Sequence, residues 1–118
     1  MTSWIDYYRA IWREAVRGGG PLTGGPHRGS LGERFARAVE GFAREASREL
    51  REAGWDCISL EALVREIKSL ARVLRGDLAA EARLYDLDSG LASAALEALE
   101  KLEEAAGDAV ERCRRASI

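Results

Sequence analysis

Five arginines fall on one side of a single predicted helix: Arg34, Arg37, Arg44, Arg48 and Arg51. A guanidinium fork matches phosphate geometry, so such a stripe could grip nucleic acid or an acidic partner. Carboxylates are laced through the same face. Glu33–Arg37 and Glu40–Arg44 have the favourable i, i+4 order, and Arg48 can meet Glu45 or Glu52. A solvated, locally paired face accounts for the stripe with fewer assumptions. Cys57 and Cys113 are the other chemically capable residues. An antiparallel hairpin of the helices carrying them would bring both to one end. A disulfide is then geometrically open to them and would close a long loop. Two buried or half-buried free thiols are the equal alternative.

The remaining reactive groups form no constellation. His27 is the sole histidine and sits in a glycine-rich segment, so no triad can be assembled around it. That segment, GGGPLTGGPHRG over 18–29, lacks the GK[ST] ending of a phosphate loop and follows a helix where a strand is needed. Asp86, Asp88 and Glu97 fit a calcium loop by spacing, but Leu91 stands where its turn requires glycine. Two cysteines and one distant histidine are too few for a structural zinc, and Glu-x-x-His pairs for a di-iron bundle are missing. No metal and no cofactor are expected, and an enzyme is not favoured.

Composition narrows the class. The chain has 118 residues, 47% hydrophobic and 32% charged, with 2 prolines. Ala, Glu, Arg and Leu dominate, as in packed helices. Asn and Gln are absent and Lys68 and Lys101 are the only lysines. Loss of thermolabile amides with dense charge points to a thermophile; a GC-rich genome is the alternative source of arginine in place of lysine. A net charge of −2 argues against bulk attraction to nucleic acid or anionic membrane. There is no basic-then-apolar leader and no apolar run long enough to span a bilayer, so the cytoplasm is the expected location and no membrane partner is expected.

The elements that must position these residues are helices. A first helix over about 3–17 has Ser3 as N-cap and ends at Gly18. It carries four of the chain's eight aromatics, and Trp4, Tyr8, Ile11 and Trp12 share one face. The segment 18–29 reads as a flexible linker. A second helix runs over about 31–53 behind a Ser30/Glu33 capping box and stops at Gly54. A third begins at Ser59 and puts Leu60, Val64, Ile67, Leu70 and Leu74 on its core face. That phase fails beyond Leu78, where Glu81 would enter the apolar face, so a kink or interruption is expected near Gly76. A fourth, from about 90 to 115, holds Ala95, Leu99, Leu102, Ala106, Ala109 and Cys113 in heptad steps.

Residues 60–84 resemble, faintly, the long first helix of short helical chorismate mutases. That likeness would place substrate-binding arginines where this chain has Val64 and Glu81, so the role has no carrier.

The fold expected is an all-α, up-down helical bundle of about four helices. It divides into an aromatic helix (1–17), a glycine-rich linker (18–29) and an antiparallel bundle core (30–118). The function expected is a non-enzymatic protein-interaction module that self-associates, as a dimer, through Trp4, Tyr8, Ile11 and Trp12, or docks on another protein; the competing reading, weighted above either, is that this aromatic face packs within the chain as the fourth helix of its own bundle. The alternative is a small subunit of a nucleic-acid-processing complex using the arginine stripe.

Overall fold

The computed structural model describes residues 3–22, 25, 26, 29–52, 56–84 and 87–116. Its elements are α1 (Trp4–Arg17), β1 (Gly19–Gly20), β2 (Gly25–Pro26), α2 (Leu31–Glu52), α3 (Cys57–Leu84) and α4 (Ser89–Ala116). The four helices pack as an all-α bundle of 50 × 23 × 20 Å. The segment read as a linker holds an antiparallel two-residue ladder, with Gly19 opposite Pro26 and Gly20 opposite Gly25.

Local chemistry sets the helix ends. Asp6 Oδ2 accepts the Ser3 backbone N–H at 3.3 Å. Gly18 closes α1 in the left-handed region (φ 84°), donating its N–H to the Glu14 carbonyl. Glu33 N–H donates to Ser30 Oγ at 3.2 Å, which satisfies one of the orphan donors of a helix start. The start of α3 differs from expectation. Asp56, not Ser59, is the cap: its Oδ1 accepts from Ile58 N at 3.0 Å and Ser59 N at 3.4 Å. An ionised carboxylate is the stronger acceptor and also faces the positive end of the helix dipole. Asp88 does the same for α4, accepting from Gly90 N and Leu91 N.

The interruption expected near Gly76 is absent, since α3 is a continuous helix through it. The failure of apolar phase is real, and Leu84 stands out in solvent. Two features let the helix continue regardless. Asp77 accepts the Tyr8 hydroxyl hydrogen bond. Glu81 passes over Gly32 of α2, where a Cβ would lie 3.2 Å from its Oε2. Glycine leaves room for a side chain that a larger residue would have pushed aside.

One core runs through all four helices. Phe35, Val39, Leu60, Ile67, Leu70, Leu74, Leu78, Leu99 and Leu102 are fully buried, and Ile11 and Ala15 of α1 join the same cluster. The most extensive contact is between α2 and α4, while α2 and α3 touch little. Ala95, Ala105, Ala106 and Ala109 are buried along α4, and small side chains let helices approach closely. A disulfide joins Cys57, at the start of α3, to Cys113, near the end of α4, with Cα atoms 5.7 Å apart. Arg114–Glu61 at 3.1 Å and Arg75–Glu103 at 2.9 Å also bridge these two helices. No described helix is long and apolar enough to cross a membrane.

Candidate functional site

Helix α1 lies antiparallel to α2, and its aromatic face is used within the chain. Trp12 stacks on Phe35 with centroids 4.0 Å apart and planes 13° from parallel, and Tyr7 tilts onto Phe42 at 5.5 Å. Such ring pairs add about 1 kcal/mol each beyond the area they bury. Ile11 is fully buried, while Trp4, Tyr8 and Trp12 are half-buried against the core. Trp4 and Tyr8 meet edge-on at 6.2 Å.

Polar anchors fix the same helix. Glu66 of α3 accepts the Trp4 backbone N–H at 2.6 Å, a carboxylate placed at a helix N-terminus. The Tyr8 hydroxyl donates to Asp77. Its pKa is raised, first by burial and then by this hydrogen bond, since the neutral phenol is the form that donates. Four residues that periodicity puts on one stripe therefore meet α2 and α3 in the chain itself.

The other side of α1 borders a cavity of about 720 Å³. Helix α2 contributes Phe42, Ala46 and Leu50, α3 contributes Leu63 and Ile67, and Leu22 closes it from the segment after α1. The space follows from helix lengths. At 1.5 Å per residue the 14 residues of α1 span about 21 Å, against about 33 Å for the 22 of α2. A helix that short cannot cover the whole α2/α3 groove.

Glu14 sits on the cavity wall and is 6% exposed. Leu22 N–H donates to its Oε1 at 2.6 Å, while Oε2 is buried with no hydrogen-bond partner among the described residues. The backbone crosses this carboxylate at Gly20, where a Cβ would stand 2.7 Å from Glu14 Cδ. Only glycine fits so close an approach. Sequence reasoning missed this group, although a signal existed. Glu14 follows Tyr7 and Ile11 at helical spacing, so a carboxylate occupies an inward position just before a glycine run.

The other sequence candidates fall in separate places. Arg37, Arg44, Arg48 and Arg51 are exposed along α2, and Arg34 is half-buried with its Nε lacking a partner among the described residues. Arg44 pairs with Glu40 and Arg48 with Glu45. Glu45, then Glu52, raises the Arg48 pKa. The stripe is thus partly neutralised on its own helix. Asp88 is occupied as a cap, and among the described residues no cluster could hold a metal ion. His27, Gly54 and Asp86 lie outside the described residues. The chain matches no family model, and neither a curated protein nor a solved structure matches it.

Proposed function

We propose that the chain is a non-enzymatic binding module, a stapled helical frame in which α1 and its glycine strap border a partly open cavity. The observation that carries this reading is the cavity itself, apolar in its lining and bordered by a buried carboxylate. A concave apolar site with a few convergent polar groups is what small-ligand sites share. The uncharged dye Nile red tests it by fluorescence titration. Saturable one-to-one binding is expected, lost when Ala46→Trp or Leu63→Trp fills the space. An unsaturable signal, or one untouched by both fillings, would sink the reading.

Self-association is a second reading, favoured by the position of α1. Its contacts with Phe35, Glu66 and Asp77 are made by one helix followed directly by glycines 18, 19 and 20. The same contacts can form between two copies if that segment opens, which is how exchanged dimers arise. A concentration-dependent mass in sedimentation is expected, abolished by combining Tyr8→Ala with Trp12→Ala. A strict monomer at high concentration would remove this option.

A further inference from the structure

We infer that the cavity takes an elongated apolar cation, an alkylammonium or its chemical equivalent, with the charged head on Glu14. The inference rests on the binding reading above and gives that site its ligand class.

Three observations converge. The first is charge: the lining holds Glu14, Glu45, Glu49 and Glu66 against Arg13 and Arg17. Both arginines are exposed, as are Glu49 and Glu45, the latter paired with Arg48, so the buried charge at the wall is that of Glu14. An anion would meet carboxylates at the wall. The second is the Glu14 Oε2 atom, buried without a partner among the described residues. An unmatched buried carboxylate oxygen is costly, and an N–H donor carrying positive charge removes most of that cost. The third is the body of the site. Tyr7, Phe42, Ala46, Leu50, Leu63 and Ile67 surround the space with hydrocarbon and ring faces. Alkyl chain packs there, and aromatic faces favour a nearby cation.

The strap over Glu14 sets the route. Gly19 and Gly20 precede Pro21 and Leu22, and Leu22 N–H is the hydrogen bond that holds Oε1. Gly19 already has φ 148°, so small shifts of this backbone cost little. In this proposal the ammonium head reaches Oε2 as the strap lifts, its N–H donors replacing the Leu22 N–H that the lift removes from the carboxylate.

The test compares octylamine, octanol and octanoate by calorimetry, with Nile red displacement in parallel. Octylammonium should bind about tenfold tighter than octanol, the step that about 1.4 kcal/mol of charge-assisted hydrogen bonding gives, and octanoate weakest. Glu14→Gln should erase the preference for the amine while Nile red still binds. Glu49→Gln, on the exposed side of α2, should weaken the amine by a smaller factor. Equal binding of the three congeners to a protein that binds Nile red overturns the inference and leaves the binding reading standing. Failure to bind Nile red at all removes both. If Glu14→Gln does not fold, the congener series on the unaltered chain still decides.

Discussion

Helix α2 meets two neighbours in opposite ways. Against α4 it forms a long seam of alanine and leucine, with Ala95, Leu99, Leu102 and Ala106 fully buried. Against α1 it relies on stacked rings, and α1 is further held by carboxylates of α3. Small side chains let backbones close down until no space is left. Large rings hold backbones apart, and wherever the rings stop a gap remains. The cavity beside Phe42, Ala46 and Leu50 is that gap. Residue size on the two faces of α2, together with the shortness of α1, thus separates a sealed seam from an accessible one.

This contrast can be broken experimentally. The largest effect is expected on the α4 side. Replacing Cys57 and Cys113 together by Ser releases a bridge between positions 56 apart. Stability in urea should fall by about 4 kcal/mol in the chain-entropy account. The α1 tryptophan signals should be unaltered in the native baseline; a change there would mean that the two sides are coupled.

Trp12→Ala should come next, at about 2 kcal/mol, because the ring is only half-buried. Hydrogen exchange sharpens the outcome. Amides of α1 should exchange faster by opening locally while those of α2 and α4 stay protected. Uniform acceleration across all helices would show that α1 is not separable.

Tyr8→Phe should cost about 1 kcal/mol near neutral pH by removing a hydrogen bond to a charged acceptor. The folded-state pKa of Tyr8 is raised, so its contribution is complete below the unfolded value of about 10 and fades as pH rises through the raised one. Urea titrations across that alkaline window should show the unaltered chain losing stability and converging on the variant. Asp56→Ala should give the smallest effect, confined to the start of α3. The Asp56 pKa is lowered by hydrogen bonds from Ser59 and Ile58. Its stabilisation is therefore present above about pH 4 and lost as pH falls through the lowered value. Helicity measured across acid pH should separate the variant from the parent only above that range.

The bundle was legible because its signals are local and periodic. The stripe of Phe35, Val39 and Phe42 and the heptad steps of α4 define buried faces without knowledge of partners. The continuity of α3 was not, because it depends on Gly32 and Tyr8, which come from two other helices. The aromatic face of α1 was visible, but the sequence carries no statement of which surface receives it. Glu14 was hidden for a similar reason. A glutamate on a helix reads as solvated until Gly20 and Leu22 are seen to fold back over it.

The Cys57–Cys113 bond has a mechanical consequence. It ties the beginning of α3 to the end of α4 and makes the chain between them a covalent ring. Tension applied across the molecule enters that ring at one sulfur and leaves at the other. It can peel α1 and α2 away, yet it never loads the backbone between Cys57 and Cys113. About 190 Å of contour would stay hidden until the bond is reduced. Single-molecule pulling with and without a reductant would then show two lengths for one protein.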